Sequence, residues 1–476
     1  MGRFVGSSCS STDSGRGIAD WNRPLHGLPI IIKNNIATAD QMNNTAGSYA
    51  LLGAKVPRDA TVAAKLRKAG AILLGKSNLS QWANYRSSNS SNGWSAQGGQ
   101  TFGAYWPNED PSGSSSGSGV AASLGLAVGC LGTETDGSII SPSENNNIVG
   151  IKPTVGLTSR SLVIPISEHQ DTVGPMARTV KDAAYILQAI AGFDPADNYT
   201  SAIPWARNST YTPAPDYVAA CQFDALRGKR IGVPRNAIGS PDRYSAPIYT
   251  AFESALSILR NAGATIVENT NYTAFDAYLN SSAEGTVLDA DFGPNLAAYL
   301  AQLTYNPNNV HTLADIRNFT RSFTAEEYPN RNTADFDAAL ALNFTNTDPE
   351  FWAAYQSDLF LGGEGGLLGA ISTYNLDAVV VPSAVASGIS AIIGGPVVTV
   401  PLGSYPSGTK VVANRRGLVS VAPNIPFGLS FAGALWSEEV LVGLAYAFEQ
   451  RTLVRGRVKP FVRPSVELGD VVGKGV

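Results

Sequence analysis

Short apolar runs alternate with amphipathic segments along much of this chain. The run Leu28–Ile32 has the length of a buried strand, and Ala60–Ala69 has the spacing of a helix that ends at Gly70. A second apolar run, Ala71–Leu74, follows directly. This alternation favours an α/β architecture in which helices flank a sheet.

The pattern continues and predicts further elements. The predicted helices are Gly119–Leu126, Val180–Ala191, Ala251–Ala262 and Ser437–Thr452, the last with Ser437 as its N-cap. The predicted strands are Ala127–Leu131, Arg230–Pro234, Thr265–Glu268, Ala378–Val381, Val397–Val400 and Phe427–Phe431. Residues 284–360 are mostly helical in pattern, with polar breaks.

The composition narrows the class of protein. The chain has 476 residues, 44% of them hydrophobic, and a net charge of −4. No apolar run approaches the ~20 residues that span a bilayer, and no Lys/Arg cluster indicates a nucleic-acid surface. The cysteines and histidines number three each and show no metal-ligand spacing: Cys9, Cys130, Cys221, His26, His169 and His311.

Nine Asn-x-Ser/Thr sequons occur, where composition alone gives roughly five. They begin at Asn43, Asn78, Asn89, Asn198, Asn208, Asn271, Asn280, Asn318 and Asn343. This excess favours a secreted protein, although no signal peptide is visible after Met1. The localisation stays open at this stage.

Three segments carry candidate chemistry. Lys33 follows the first apolar run, and two glycine-rich segments come later, the first serine loop (Pro111–Gly119) and the second serine loop (Gly132–Ile140). A serine becomes nucleophilic when a base removes its proton, and a buried lysine with a lowered pKa is such a base. Taken singly, the lysine also suits a solvated strand end, and the first loop also suits a flexible linker.

Two familiar motifs are misleading. Gly70–Ser77 matches the Walker A pattern, but its Ala-Ile-Leu-Leu centre favours a buried strand over a phosphate-binding turn. Gly113–Gly117 matches the nucleophile elbow, but the turn-rich Trp106–Pro111 stands where a strand should precede it. Neither His169 nor His311 lies in a motif that would make it the base.

Together and in this order, the three segments resemble the amidase signature family of serine amidohydrolases. The Thr-Glu-Thr-Asp-Gly-Ser stretch of the second serine loop is similar to the peptide-amidase-like branch, which includes many fungal members. The resemblance extends through Val149–Gly156, Gln170–Met176 and Pro426–Phe431. It covers residues 24–200 densely and 374–452 more loosely.

The resemblance implies a Ser-cisSer-Lys triad. Ser138 would be the nucleophile, Ser114 the bridging serine next to a cis peptide bond, and Lys33 the base. The oxyanion hole would be formed by backbone N–H groups of Thr135, Asp136, Gly137 and Ser138. The implied reaction converts a small-molecule or peptidic amide to a carboxylate and ammonia or an amine through an acyl-enzyme, with no cofactor and no metal.

The expected organisation is a single large α/β domain with a mixed, twisted sheet covered by helices. We expect residues 1–20 to be disordered and 21–460 to form the domain. Within it, 21–200 would be the catalytic core, 201–373 a mainly helical excursion and 374–460 the return to the core sheet. Residues 461–476 would be a C-terminal tail.

The chain departs from the family pattern at several positions. Asn34 stands where Asp is common, Asp136 where Gly is frequent, and Ile140 where Arg is frequent. We therefore expect other groups to set the pKa of Lys33. Only about 25 residues precede the lysine strand, which suggests a truncated gene model. The alternative functions are a catalytically impaired family member and an amidotransferase-type subunit that acts only in an assembly.

Overall fold

A ten-stranded mixed sheet forms the centre of the fold. The structure is a computed structural model that describes residues 23–205 and 214–465. The strands of the sheet are Pro29–Lys33, Ile72–Ser77, Gly129–Glu134, Val149–Lys152, Thr172–Ala177, Arg230–Val233, Thr265–Glu268, Ala378–Pro382, Val397–Ser404 and Pro426–Ala432. Across the sheet, from one edge to the other, neighbouring strands are those whose first residues are 72, 29, 129, 172, 149, 397, 426, 378, 230 and 265. The predicted α/β class is confirmed.

The sheet is parallel near both edges and antiparallel between them. Pro29–Lys33 runs parallel to both of its neighbours, Ile72–Ser77 and Gly129–Glu134. Parallel strands end at the same edge of a sheet, and functional groups gather there. Lys33, the last residue of its strand, therefore lies beside the loop that follows Glu134.

Helices cover the sheet, and most of the predicted ones are present. The α-helices are Thr61–Lys68, Ser116–Leu124, Ile140–Asn145, Val180–Ile190, Arg235–Ile238, Ala246–Asn261, Phe275–Leu279, Ala283–Leu300, Leu313–Ser322, Ala334–Ala341, Pro349–Gly362, Leu367–Tyr374, Gly388–Ala391 and Glu438–Thr452. Short 3-10 turns lie at Tyr49–Leu51, Gln81–Asn84, Asn198–Ala202, Thr324–Glu326, Ser383–Val385 and Val454–Gly456. In the described part of the chain, no helix is long and apolar enough to cross a membrane.

The predicted N-cap residue of the last helix is in place, but its side chain does not cap the helix. Ser437 occupies the N-cap position of the last helix, but its side chain makes no capping hydrogen bond. Its hydroxyl group instead donates to the carbonyl oxygen of Ala434 at 2.7 Å. The helix predicted to begin at Gly119 begins earlier, at Ser116, within the first serine loop.

The predicted helical excursion packs onto the first third of the chain. Phe292, Ile316 and Phe336 share one apolar cluster with Ile30 and Ile32 of the lysine strand, and all five are fully buried. The same segment also supplies two strands to the sheet edge. The predicted disordered segment 1–20 and most of the tail 461–476 lie outside the described residues, so those boundaries stay predictions.

A buried ion pair joins the excursion to the first serine loop. Glu326, wholly buried, accepts hydrogen bonds from Arg86 at 3.1 Å and Gln81 at 2.6 Å. Gln81 follows Ser80, whose N–H donates to the carbonyl oxygen of Ser114 at 3.1 Å. The pair therefore supports the backbone that carries a candidate catalytic serine.

We expect Glu326→Ala to lower the free energy of unfolding by about 3–5 kcal/mol, because it leaves the Arg86 charge buried without its partner. Urea unfolding followed by circular dichroism measures the effect. The matched control is Glu327→Ala, whose pair with Arg331 is partly exposed. A loss for Glu326→Ala no greater than for this control would contradict the assignment.

Candidate active site

The lysine strand delivers Lys33 into a closed environment. Its side chain is fully buried, and Nζ donates to Ser114 Oγ at 2.8 Å, to Thr133 Oγ1 at 2.8 Å and to the Thr133 carbonyl oxygen at 3.1 Å. Three donors of an ammonium group thus meet three acceptors. Of the two candidate serines, Ser114 is the one in direct contact with the lysine.

Burial lowers the pKa of Lys33 to about 7, because the protonated amine loses its hydration. The carboxylates of Asp171 and Glu134 act in the opposite direction and keep the pKa from falling further. Near neutral pH a substantial fraction of the amine is therefore neutral. A neutral amine 2.8 Å from a hydroxyl group is able to accept its proton.

The first serine loop is held by its neighbours on both sides. The Gly113–Ser114 peptide bond is cis, and Ser114 is fully buried. A Cβ on Gly113 would lie 2.4 Å from Ser80 Oγ, so no larger residue fits there. Ser115 N–H donates to the Ser138 carbonyl oxygen at 3.1 Å and links the two serine loops.

The second serine loop folds back over a buried carboxylate. Glu134 accepts from the N–H groups of Ile139 at 2.6 Å and Ile140 at 2.9 Å. Gly137 has φ of +83°, a conformation that favours glycine. Ser138 follows it and is 7% exposed. Its hydroxyl group is not hydrogen-bonded to that of Ser114 in the structure, so the two loops are joined by the backbone hydrogen bond from Ser115 to Ser138 rather than through the serine side chains.

The N–H groups of residues 135–138 have no internal acceptor. In residues 23–205 and 214–465, none of the four donates to a protein oxygen, whereas the next two N–H groups donate to Glu134. Unpaired N–H groups on one turn beside a serine are able to stabilise a developing oxyanion.

Three residues near Lys33 received no role from the sequence: Thr133, Glu134 and Asp171. Thr133 Oγ1 accepts from Lys33 and, at 3.0 Å, from Asn35. Asp171 accepts from Thr135 Oγ1 at 2.6 Å, and burial raises its pKa to about 6. All three lie inside the motif segments, but only the fold shows that they surround the amine.

The departures at Asn34 and Ile140 do not touch the lysine. The Asn34 side chain exchanges hydrogen bonds with Thr45, through Nδ2 at 3.1 Å and Oδ1 at 3.0 Å. Ile140 is fully buried. The carboxylates that act on the pKa of Lys33 are instead Asp171 and Glu134, as expected for a site in which other groups set this pKa.

The segment that matches the Walker A pattern forms a strand, and its lysine is hydrogen-bonded to protein atoms. The predicted strand is present as Ile72–Ser77, but it is not buried as expected: it forms an edge of the sheet, and Ile72 and Leu74 are exposed. Lys76 Nζ donates to the Ile36 carbonyl oxygen and to Asn44 Oδ1. The ring of His169 pairs with Asp291 at 2.8 Å rather than with a serine of either loop.

His169 also belongs to a group of three potential metal ligands. Its partners are Glu168 and Asp291, and their ligand atoms lie within 4.8 Å of one another. Asn346 Nδ2 donates to both carboxylates, at 2.8 and 2.9 Å, and Ser167 Oγ donates to Asp291 at 2.5 Å. These hydrogen bonds already satisfy the cluster.

A buried lysine, a cis-linked serine and a second serine on a turn of unpaired N–H groups are the features of an amide hydrolase without histidine. Residues 10–442 match the Amidase family model. The chain belongs to the amidase family, the amidase signature enzymes, and hydrolyses C–N bonds in amides.

Particular relatives agree with this assignment. A protein of the fungus Arthroderma benhamiae that is named as an amidase is 55% identical over 463 residues, which cover 97% of this chain and 76% of that protein. The native peptide amidase of Stenotrophomonas maltophilia has a TM-score of 0.79 and 38% identity, covering 91% of this chain and 84% of that one. A peptide amidase in complex with the competitive inhibitor chymostatin has a TM-score of 0.78, 39% identity and the same coverage.

Proposed function

We propose that this protein hydrolyses a peptidic or other small carboxamide with Ser138 as nucleophile, Ser114 as proton relay and Lys33 as base. The observation that carries the proposal is the 2.8 Å contact between the buried Lys33 amine and Ser114 Oγ. No other lysine of the described residues donates to a serine hydroxyl group of either serine loop.

The steps balance without a cofactor. Neutral Lys33 takes the Ser114 proton while Ser114 takes the proton of Ser138, whose Oγ bonds to the amide carbon. The tetrahedral intermediate places its negative oxygen against the N–H groups of residues 135–138. It then breaks the C–N bond, and the proton returns through Ser114 to the departing nitrogen. Water then gives a proton through Ser114 to neutral Lys33 and attacks the acyl carbon; the acyl–Oγ bond breaks, Ser138 Oγ takes the proton back, and the carboxylate leaves.

The relay requires a small movement. The carbonyl oxygen of Ser138 accepts from the N–H group of Ser115, next to Ser114, but the hydroxyl groups of Ser138 and Ser114 are not hydrogen-bonded to each other. Catalytic hydrogen bonds are often loose without substrate. We infer that rotation of the Ser138 side chain about its Cα–Cβ bond forms the missing hydrogen bond to Ser114 when substrate binds. The substrate carbonyl group, once held by the N–H groups, fixes the direction of attack.

The substrate class draws support from the peptide amidase neighbours, including the one that binds chymostatin. A C-terminal peptide amide has an uncharged end that matches the absence of a cation on the second serine loop. We therefore favour C-terminal carboxamides, which release ammonia.

An acyl-enzyme predicts that a second nucleophile can replace water. We expect an amidated peptide to give its free acid and ammonia in equal amounts, and added hydroxylamine to divert part of the product to the hydroxamate. Mass spectrometry of the peptide and an ammonia assay measure both. Ammonia release with no hydroxamate at any hydroxylamine concentration would favour direct attack by water instead.

A further inference from the structure

A polar cavity lies among helices of the middle region of the chain. It has a volume of about 240 Å³ and is lined by Tyr278, Leu279, Ser281, Glu284 and Asp358. These residues come from three helices of the middle region and the turn between the first two. None of them takes part in the chemistry proposed above.

Asp358 is the unusual member of this cavity. Its side chain is only 2% exposed, and its Oδ2 atom has no hydrogen-bond partner among the described residues. The buried carboxylates of Glu109, Glu134 and Glu438 also have one unpaired oxygen, but each accepts a hydrogen bond through its other oxygen, whereas Asp358 accepts none from the described residues. A buried carboxylate without a donor is costly, and burial raises the pKa of Asp358 to about 7. The cavity therefore lacks a hydrogen-bond donor where it would be most stabilising.

Two further carboxylates face the same region. Glu284 accepts from Gln170 Nε2 at 2.9 Å, and burial together with the charges of Asp136 and Asp358 raises its pKa to about 8. Asp136 is solvent-exposed and lies two residues before Ser138. Within the described ranges, neither they nor Asp358 form an ion pair with a lysine, arginine or histidine.

One short segment, Ser387 and Gly388, lies between the second serine loop and the cavity. Ser387 packs against the loop, and its Oγ lies 3.2 Å from where a Gly137 Cβ would be. Next to it, a Cβ on Gly388 would lie 2.0 Å from the hydroxyl group of Tyr278. Tyr278 is a wall of the cavity, so this segment adjoins both the loop that carries Ser138 and the cavity. An acyl chain on Ser138 that extends past the segment would enter the cavity.

We propose that this cavity binds a cationic group, an ammonium or guanidinium, on the acyl portion of the amide substrate. The inference rests on the proposed function, since released ammonia leaves every other substituent on the acyl side. A cationic donor would supply the hydrogen bond that Asp358 lacks and would be attracted by Glu284 and Asp136.

Matched substrates test the proposal. N-acetyl-lysinamide is compared with N-acetyl-norleucinamide, and N-acetyl-Lys-Ala-amide with its norleucine counterpart, since each pair differs only by the ammonium group. We expect kcat/KM for the lysine member of at least one pair to be about tenfold higher or more. Equal values in both pairs would overturn the proposal.

Variants of the cavity residues show which side chains produce the preference for lysine over norleucine substrates. Asp358→Asn should bring the lysine and norleucine substrates to within about twofold while norleucine turnover changes little. Glu284→Gln should also reduce the preference for the lysine substrates. It provides an independent test in case Asp358→Asn does not fold. Glu350→Gln, exposed on the same helix as Asp358, should leave it unchanged. A preference that survives both cavity variants would overturn the assignment.

Binding separates this inference from the proposed function. Calorimetry on Ser138→Ala measures affinity without turnover, and the lysine peptide should bind about tenfold more tightly than the norleucine peptide. If this difference in affinity is lost in the double variant Ser138→Ala/Asp358→Asn, the result supports cation binding in the cavity even where no amide is hydrolysed. Equal affinities in the Ser138→Ala protein contradict it, whatever the turnover data show.

Discussion

We expect Ser138→Ala to leave a folded protein that no longer hydrolyses amides. Removing a covalent nucleophile typically costs about 10⁴-fold or more in kcat, because the remaining groups act as one unit with it. The measurement is ammonia release from an amidated peptide. A parallel test is intact-protein mass spectrometry after a fluorophosphonate serine probe, in which the wild type should gain one adduct and the variant none.

Ser141→Ala is the matched control for this result. Ser141 lies three residues further along, and its Oγ is 3.0 Å from where a Gly137 Cβ would be. It is therefore a neighbouring hydroxyl group without the predicted role, and its variant should keep both turnover and adduct. An adduct that persists in Ser138→Ala would move the nucleophile to another serine. A folded wild type with neither adduct nor turnover would favour the catalytically impaired alternative.

Strands with strong apolar character could be predicted from the sequence, and two others could not. Leu28–Ile32 and the observed Pro29–Lys33 differ by one residue at each end. Val149–Lys152 and Thr172–Ala177 contain glycine, and the latter also Pro175, which read locally as strand breaks. The fold explains the glycines, since a Cβ on Gly174 would lie 2.0 Å from the carbonyl oxygen of Ile151.

The candidate site, like the sheet, could be predicted from the sequence only in part. The order of Lys33, Ser114 and Ser138 carried the resemblance, and the structure brings the lysine strand and both loops together. The acceptor of the lysine at Thr133 and the carboxylate of Asp171 required the fold, since they are 100 and 138 residues away from Lys33 along the chain. Contacts over such separations depend on strand order, which local patterns do not encode.

Lys33→Met should be nearly as damaging as loss of the nucleophile, with kcat lower by about 10³-fold or more. Methionine keeps the buried aliphatic chain but cannot accept a proton. Arginine in the same place should not restore activity, because a guanidinium stays protonated. Adduct formation and ammonia release measure both variants, with circular dichroism as the check on folding.

The pH dependence identifies the base. Lys33 acts when neutral, and its pKa is lowered to about 7, so kcat/KM should be low at pH 5, rise through about pH 7 and level off above it. The sign follows from the base: protonation below its pKa removes the acceptor that Ser114 needs. A maximum near pH 4 would contradict the assignment.

A second lysine with a lowered pKa, the half-buried Lys76, makes this test specific. Lys76, near the end of the neighbouring strand, also has its pKa lowered to about 7 by burial, yet it donates to Asn44 and a backbone carbonyl group rather than to a serine. Lys76→Met should therefore keep the wild-type pH profile, even where it lowers stability. If the rise near pH 7 disappears in Lys76→Met instead, the titrating group is not Lys33, and the 2.8 Å contact with Ser114 is structural rather than catalytic.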